Sequence, residues 1–456
     1  MTWAFPKTTT ICSWTTVEGR KVPSLALKGR EMWRKRWLPL AAGIVLFAGS
    51  ITAYVWLYEG HPLRANPSDE SVYYLAGRLI RSHPAELYND LVGLTGNVKL
   101  PYTYTPFAAL VFEAGTVFSW AVWKAGLIVV DLVLLPLIVV VSMRIKNRGL
   151  DIWQAAALAL ALAAVSLWLE PVFGTLSFGQ INLVLLALVI GDLALPDSSR
   201  WKGIGIGVAA AIKLTPLIFI PYLLLTRRIR AGITSAVTFL ATVGIGFVFL
   251  PTASRWYWGG SGLTASGSEI EEVLNQSLDG VIMRSITGHS AQHLLWLLLA
   301  AVVGISGLAI AAIAARRGEH LLGILVCGVT GLLVSPISWT HHWVWVVPGL
   351  AFMLTGSRRS RPWRAAGAVA LLGLFLMWPM NHHLVNLPTS GRAGLVRIGS
   401  EMAASSDLGH LLRNLYVVTG LAVLVLAAVY LWLSGRAKEV DGTSAPSIGA
   451  DVPSTS

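Results

Sequence analysis

Charged residues are scarce in this chain of 456 residues, in which Asp, Glu, Lys and Arg together make up 13% of the positions. A soluble globular protein usually carries about 25%. Cysteine is scarcer still, because Cys12 and Cys327 are the only two, one in the basic N-terminal segment and the other in an apolar run. These shortages argue against a soluble domain, a disulfide framework and a thiolate metal site. Neither an HExxH nor a DxD motif occurs, so the sequence predicts no metal ion and no other cofactor.

Apolar residues are correspondingly abundant in the chain. They account for 55% of the chain and come in blocks of about 16 to 23 residues, the length of a helix that crosses a bilayer. The pattern predicts an all-α, polytopic membrane protein. The first block follows a basic tail without a convincing small-residue cleavage site, so it is expected to be a retained anchor. Ten full spans are expected, at residues 37–58, 121–143, 151–169, 180–195, 231–250, 293–315, 320–335, 343–355, 364–380 and 411–434.

Two further apolar stretches do not fit a single crossing. Residues 105–118 are short, and counting them as a span would place the basic cluster that follows residue 143 on the outer side, so a re-entrant or interfacial helix is expected. Residues 203–225 are long enough to span once, yet both flanks are basic. Pro216 removes a backbone donor and biases Thr215 away from helix, which favours a hairpin broken at this point. The total is about 12 membrane helices, including this short broken pair.

Lysine and arginine are concentrated between particular pairs of spans. Such residues mark the cytoplasmic side, and one assignment accounts for all the clusters and for the formal net charge of +12. Both termini are then cytoplasmic, with a basic tail at 1–36 and a polar, disordered tail at 435–456. The chemistry is expected on the outer face of the plasma membrane, where the longest loops are 59–120, 251–292 and 381–410.

Asp69 is the first candidate for chemistry. It opens an outer-loop segment, DESVYYLAGRLI, whose apolar residues recur at helical spacing. An aspartate at this place can be a simple N-cap. It can also be a carboxylate that takes a proton from an acceptor hydroxyl, which requires hydrogen-bond reach of that hydroxyl. Glu70 is the neighbouring candidate, although its side chain would point elsewhere on the helix.

Lys213 and the pair His341–His342 are the next candidates. A cation inside an apolar run is costly and indicates a functional site, unless the side chain snorkels to an interface or has a structural partner. The tryptophans beside the histidines fit an interfacial aromatic belt, which does not explain the histidines. Adjacent histidines are a weak metal motif because their rings diverge. A phosphate-binding role, or donation of a proton to a leaving oxygen, fits better.

Polar side chains also mark two other segments on the outer side. Gln180 and Asn182 begin a span, and Asn275 and Gln276 lie in a polar loop segment. Such groups can hydrogen-bond sugar hydroxyls or can join helices to one another. The sequence leaves both roles open.

Six segments in this order resemble one family: DESVYYLAG, YTYTPFAALVF, FGQINLVLLALVIGD, AAAIKLTPLIFIPYLLL, NQSLDG and VSPISWTHHWVWVVP. They are similar to the polyprenyl-phosphate-mannose-dependent α-(1→2)-mannosyltransferases of actinobacterial envelopes, glycosyltransferase family 87. The resemblance covers about residues 40–434. It implies a GT-C catalytic domain at 37–434. It also implies transfer of mannose with inversion, from polyprenyl-phosphate mannose to a lipid-anchored mannan or phosphatidylinositol mannoside.

The resemblance also implies roles for the candidates. Asp69, three residues before the Val72–Tyr73 pair, would be the base. Lys213 and a histidine of the pair would stabilise the leaving phosphate of the donor. The implied sugar and acceptor contacts are Tyr73, Gln180, Asn182, Asn275 and Gln276.

Three other classes remain alternatives. A flippase or secondary transporter would need polar residues deep in several spans, but the spans carry little charge apart from Lys213 and Asp131. The chain also lacks the internal repeat of many transporters. A non-catalytic scaffold is the second alternative. Within the family, use of a polyprenyl-phosphate arabinose donor is the third.

Overall fold

The computed structural model describes residues 16–17, 20–21, 25–59, 69–88, 91–92, 99–263, 270–286, 288–356, 361–376, 411 and 413–443. This part of the chain is almost entirely helical. Its α-helices are α1 (Leu25–Glu59), α2 (Asp69–Ser82), α3 (Pro106–Gly115), α4 (Trp120–Lys146), α5 (Ile152–Ser166), α6 (Glu170–Phe178), α7 (Asn182–Ala194), α8 (Ile204–Ile212), α9 (Phe219–Leu225), α10 (Ile229–Phe249), α11 (Pro251–Trp258), α12 (Leu278–Ser285), α13 (His289–Arg316), α14 (His320–Val334), α15 (Val346–Leu354), α16 (Arg361–Leu376) and α17 (Leu415–Thr443). Two antiparallel pairs of two-residue strands are also present, β1 (Thr16–Val17) with β2 (Arg20–Lys21), and β3 (Leu91–Val92) with β4 (Lys99–Leu100).

The predicted all-α membrane class is confirmed by the helices that are long and apolar enough to cross a bilayer. Within the described residues there are five of them: Arg36–Trp56, Trp120–Lys146, Ile229–Phe249, Ala291–Arg316 and Leu415–Ser434. A sixth crossing is possible where α5 and α6 meet at a bend of 76°. The other predicted spans are shorter helices, so the count of about 12 stays a prediction.

Large apolar side chains cover the outside of these long helices. Val45, Val248, Val302 and Ile305 are each at least 65% exposed. Apolar surface of this extent is rare on a soluble protein and suits contact with lipid. The exposed faces of the long helices therefore agree with their assignment as membrane spans.

The stretch at 203–225 forms the predicted hairpin. α8 ends at Ile212, and after two residues a 3-10 turn, Thr215–Ile218, leads into α9. Nζ of Lys202 lies 2.9 Å from Oδ1 of Asp197, and Nε of Arg228 lies 3.0 Å from the same oxygen. Because the residues flanking both ends of the stretch contact one carboxylate, the chain enters and leaves on the same side, with Lys213 at the tip.

Ion pairs connect other basic segments of the chain at the open end of this hairpin. Lys146, the last residue of α4, pairs with Glu319 just before α14. Arg36 of α1 lies 4.0 Å from Asp151, which precedes α5. The basic end therefore forms one face of the bundle, opposite the tip that carries Lys213. Its assignment to the cytoplasmic side stays a prediction.

The first and the last helix extend into the two predicted tails. α1 begins at Leu25, inside the predicted basic tail 1–36, and α17 continues to Thr443, past the predicted end of the last span. Long charged side chains such as Lys, Arg and Glu are good helix formers, so a basic flank can extend an apolar helix. The outer loop predicted at 381–410 and the end of the C-terminal tail lie outside the described residues.

Candidate active site

Asp69 is the first residue of α2 and is half-buried. Its Oδ2 accepts a hydrogen bond from the side-chain amide of Gln180, 111 positions further along the chain. Burial raises the pKa of the Asp69 carboxyl from its usual value, and the hydrogen bond from Gln180 acts in the opposite direction. The carboxylate of Asp69 is therefore hydrogen-bonded by a side chain from the connection between α6 and α7. This long-range contact favours a functional role for Asp69 over that of a simple N-cap.

Two tyrosines fix the orientation of Gln180. The hydroxyl of Tyr73 donates to Oε1 of Gln180 at 2.8 Å, and the hydroxyl of Tyr104 donates to the same oxygen at 3.0 Å. The two hydroxyls are 2.6 Å apart, and all three residues are buried. Because Oε1 already accepts two hydrogen bonds, the amide NH₂ has to face Asp69. The network therefore fixes the orientation of the Gln180 amide, which donates to the carboxylate of Asp69.

Gly179 brings Gln180 to this position. It ends α6 with a left-handed φ of 63°, a conformation that glycine adopts without the steric cost of a side chain. A Cβ at this place would overlap with Oε2 of Glu70. The chain therefore turns sharply at Gly179 while it passes against α2.

Glu70 points away from Asp69. It is 1% exposed, and its Oε1 lies 3.2 Å from Nζ of Lys124. Because of this ion pair, we interpret Glu70, the second carboxylate of the DESVYY segment, as a structural residue. The two acids therefore have different partners, Lys124 for Glu70 and Gln180 for Asp69.

Lys213 lies at the tip of the hairpin beside His342. Its Nζ is 2.7 Å from Nε2 of His342 and 5.4 Å from the centre of the Tyr104 ring. A narrow cavity of about 50 Å³ borders both side chains and also touches Asn182, Thr215 and Pro216. Lys213 and His342, both predicted from the sequence to bind the donor phosphate, therefore lie side by side, while the phosphate-binding role stays a prediction.

The hydrogen bonds of His342 determine where its proton is. Nδ1 accepts a hydrogen bond from the backbone N–H of Trp339 at 3.1 Å. A neutral imidazole carries one N–H, so the ring proton is on Nε2 and faces Lys213. Two donors cannot bond to each other, and Lys213 therefore has to accept as a neutral amine. The pair holds one proton fewer than an ammonium beside a neutral histidine.

His341 has a different environment. It is 7% exposed, its ring packs edge-on against Phe178 at 5.5 Å, and its backbone oxygen accepts a hydrogen bond from Asn182 at 3.0 Å. Its Nε2 is buried and has no hydrogen-bond partner among the described residues. A buried polar nitrogen of this kind calls for a partner. His341 is thus the member of the pair with a ring nitrogen available to a ligand.

Asn275 and Gln276 are fully buried behind the histidines. Asn275 donates to the carbonyl of Pro336 at 3.0 Å and accepts from the backbone N–H of Ser338 at 2.8 Å. Gln276 donates to backbone carbonyls and accepts from the backbone N–H of Tyr416 at 3.1 Å. Their amides therefore hold the loop that leads into the histidine pair. This complete burial disfavours the direct sugar contact predicted for them.

Tyr104 is the site residue that the sequence analysis did not single out. It lies in the quoted YTYTPFAALVF segment, where alternating tyrosines before a helix were the available signal. Nothing local in that segment indicates that its hydroxyl reaches Gln180. Among the described residues there is no group of three or more His, Cys, Asp or Glu side chains that could hold a metal ion.

Comparison with known proteins identifies relatives of the chain. Residues 102–336 match the family model of glycosyltransferase family 87. A Mycobacterium tuberculosis protein, polyprenol-phosphate-mannose-dependent alpha-(1-2)-phosphatidylinositol pentamannoside mannosyltransferase, is 36% identical over 329 residues, which is 70% of this chain and 74% of that protein. A Mycolicibacterium smegmatis protein of the same name is 33% identical over 384 residues, 79% of this chain and 89% of that protein.

A further relative from Mycobacterium tuberculosis carries a slightly different name. It is a polyprenol-phosphate-mannose-dependent alpha-(1-2)-phosphatidylinositol mannoside mannosyltransferase, 31% identical over 377 residues, which is 76% of this chain and 82% of that protein. No solved structure matches the chain.

Proposed function

The chain belongs to glycosyltransferase family 87, and on this premise we propose that it transfers mannose from polyprenyl-phosphate mannose to a phosphatidylinositol mannoside. The names of its relatives support both substrates. Its long apolar helices make it a multi-pass membrane protein, so donor and acceptor, which both carry lipid, reach it within the bilayer.

The position of Tyr104 is the observation that carries this proposal. Its hydroxyl bonds to Gln180, which holds Asp69, and Lys213 lies 5.4 Å from the centre of its ring. Tyr104 and Gln180 therefore connect the carboxylate of Asp69 with the side chain of Lys213, a potential cation. A glycosyl transfer from a phosphate needs these two groups, a base for the attacking hydroxyl and a positive charge for the leaving phosphate.

The proposed reaction is a single in-line displacement. The acceptor hydroxyl attacks C1 of the mannosyl group, the bond from C1 to the phosphate oxygen breaks, and polyprenyl phosphate leaves with the bonding electrons. The hydroxyl proton passes to Asp69. Inversion turns the β-linked donor into an α-linked product, and a 2-hydroxyl as the attacking group gives an α-(1→2) linkage.

Asp69 is the proposed base because its surroundings suit proton transfer. Burial raises the pKa of its carboxyl, which brings a weak base closer to the pH at which the enzyme works. The amide of Gln180 occupies Oδ2, so Oδ1 is the oxygen left for the acceptor hydroxyl. We assign Gln180 and Tyr73 as positioning residues, because Gln180 donates to this carboxylate and Tyr73 donates to Gln180.

Lys213 and His341 are the proposed groups on the leaving phosphate. The unpartnered Nε2 of His341 can donate to a phosphate oxygen. Lys213 releases its hydrogen bond to His342, takes up a proton and meets the phosphate as an ammonium, which the face of Tyr104 also stabilises. His342 thereby acts as the partner that holds Lys213 in place before the donor arrives. Asn182 donates a hydrogen bond to the backbone oxygen of His341 and so helps to hold this residue in place.

Apolar side chains surround the narrow cavity beside Lys213. The cavity beside Lys213 is lined mainly by apolar side chains of α7, α14, the hairpin and the 3-10 turn Thr340–Trp345, which are Leu185, Leu186, Val189, Phe219, Leu332 and Trp345. Such a wall beside a phosphate-binding cation fits a polyprenyl chain that continues into the membrane. This arrangement supports a lipid-linked donor over a nucleotide sugar.

The proposed orientation places the basic face of the bundle in the cytoplasm and the site on the outer side. It rests on the positive-inside rule, since the basic ends of the hairpin lie opposite Lys213. Single cysteines at Arg200 and Arg230 should react with a membrane-permeant label only. Reaction of either one with an impermeant label added to intact cells contradicts this orientation.

Mannose transfer by the purified chain tests the proposal. Proteoliposomes with the full chain, polyprenyl-phosphate mannose and a phosphatidylinositol mannoside should form a product one hexose larger, with an α-(1→2) bond by linkage analysis. Protein with Asp69→Asn should be folded and inactive. A wild-type chain that forms no product under these conditions contradicts the proposed function.

A further inference from the structure

A second cavity lies at the basic end of the bundle, away from Asp69 and Lys213. Its volume is about 550 Å³. It opens between the ends of α4 and α7, the hairpin and the start of α14. None of its lining residues takes part in the proposed transfer reaction.

The rim of this cavity is strongly basic. Arg144, Arg148, Lys202 and Arg228 line it together with His320, whose Nδ1 lies 3.5 Å from a guanidinium nitrogen of Arg228. The lining includes a single carboxylate, Asp197, which lies 2.9 Å from Lys202 and 3.0 Å from Arg228. That carboxylate is therefore already engaged, and it does not offset the charge on the α4 side of the rim.

Arg144 and Arg148 carry the excess positive charge. Arg144 lies in the last turn of α4, Arg148 lies two residues beyond the end of that helix, and both are exposed. Neither forms an ion pair with another side chain in the part of the chain that the structure describes. Two free guanidinium groups at this spacing can hold one phosphate from two sides, because arginine matches the geometry of phosphate oxygens.

The floor of the cavity is apolar. Val141, Ile145, Leu193 and Ile324 line it below the basic rim. A free phosphate ion would contact only the rim and would gain nothing from such a floor. An amphiphile with a phosphate head and hydrocarbon below it contacts both.

We propose that this cavity binds the phosphate headgroup of an anionic membrane lipid, with Arg144 and Arg148 on the phosphate and the lipid carbons over the apolar floor. Basic pockets between membrane helices are suited to such headgroups. The proposal does not rest on the transferase activity, because the cavity and its charges are separate from the site around Lys213.

Binding of short-chain lipids to the full-length protein in detergent tests it. Dioctanoyl phosphatidylglycerol should bind saturably, and dioctanoyl phosphatidylcholine, with its neutral headgroup, should bind much more weakly. The double variant Arg144→Gln/Arg148→Gln should weaken binding of phosphatidylglycerol about tenfold or more, since charge-assisted hydrogen bonds are lost. Both residues are exposed and unpaired, so the variant should fold.

The matched control is Arg200→Gln/Arg227→Gln, which removes the same charge from exposed positions outside the cavity lining. It should leave binding nearly unchanged, as should Lys213→Ala. Equal loss in both double variants, or no loss in either, overturns the proposal. Loss in Lys213→Ala, or equal binding of phosphatidylcholine, overturns it too. Glycerol 3-phosphate that binds as tightly as phosphatidylglycerol overturns the lipid as occupant.

Discussion

Nζ of Lys213 lies 2.7 Å from Nε2 of His342, and the ring proton of that histidine faces the amine. Before the donor binds, this pair therefore holds one proton fewer than a lysine ammonium beside a neutral histidine. An incoming phosphate favours the ammonium form of Lys213, and the proton has to come from solvent. Donor binding and proton uptake are thus coupled at this site.

Calorimetry of donor binding should detect this coupling. Titration of the purified chain with polyprenyl-phosphate mannose, in two buffers of different ionisation enthalpy, should give heats that differ by the uptake of about one proton. Lys213→Ala should abolish that difference and weaken donor use about tenfold to a hundredfold. Arg255→Ala removes an exposed cation from α11 and serves as the control. Equal heats in both buffers for the wild type contradict the shared-proton arrangement.

The two histidines should differ when they are replaced. His341→Ala removes the nitrogen that is available to the phosphate, so turnover should fall while proton uptake on donor binding stays. His342→Ala frees Lys213 to be an ammonium in the unbound enzyme, so proton uptake should disappear. The same calorimetric titration, combined with turnover of each variant, separates these outcomes. Identical behaviour of the two variants contradicts the division of roles.

Asp69→Asn should lower turnover about 10² to 10⁴-fold, because the amide keeps the shape but cannot accept the hydroxyl proton. Glu70→Gln is the matched control, since its carboxylate is paired with Lys124. It should keep most of the activity. Turnover of lipid-linked mannose by each folded variant is the measurement. Activity that survives in Asp69→Asn and is lost in Glu70→Gln moves the role of base to Glu70.

The pH dependence of the rate should report the hydrogen bond between Gln180 and Asp69. The base works only when ionised, so activity is present above the pKa of its carboxyl and falls as the pH drops through that value. Burial already raises this pKa, and the hydrogen bond lowers it. Gln180→Met removes the lowering contribution, so the acid limb of kcat/KM should move to higher pH. Gln154→Met, at an exposed position of α5, should leave the limb in place. A limb that does not move in Gln180→Met contradicts the positioning role.

The hairpin and its lysine could be predicted because their signals are local. Pro216 lacks a backbone donor and disfavours helix at the residue before it, and Lys213 is conspicuous among apolar residues. The resemblance implied that Lys213 and one of the two histidines act on the same phosphate, and the structure places Lys213 in contact with His342.

The network around Asp69 could not be predicted in the same way. Gln180 was expected to meet sugar hydroxyls, but its oxygen accepts from two tyrosines and its nitrogen reaches a residue 111 positions away. Contacts at that separation depend on how α2, α3 and the end of α6 pack, which no local pattern encodes. The same holds for Asn275, whose amide bonds to Pro336 and Ser338 in a loop 61 and 63 positions ahead as well as to nearby Ile270.

Helix length was the other feature that the sequence did not determine. Spans predicted at 180–195 and 320–335 are the helices α7 and α14, which have 13 and 15 residues. An apolar run has the same composition whether its helix crosses the bilayer or ends within it against other helices. The count of membrane helices therefore needs tertiary contacts.

A donor competition tests the central claim most directly. Proteoliposomes with the purified chain and a phosphatidylinositol mannoside receive polyprenyl-phosphate mannose and polyprenyl-phosphate arabinose together, each with a distinct label. The account predicts that the mannose label enters the glycolipid through an α-(1→2) bond, that the arabinose label does not, and that Asp69→Asn abolishes the transfer. Preferential incorporation of arabinose, or movement of the donor across the membrane without a new glycosidic bond, would contradict it.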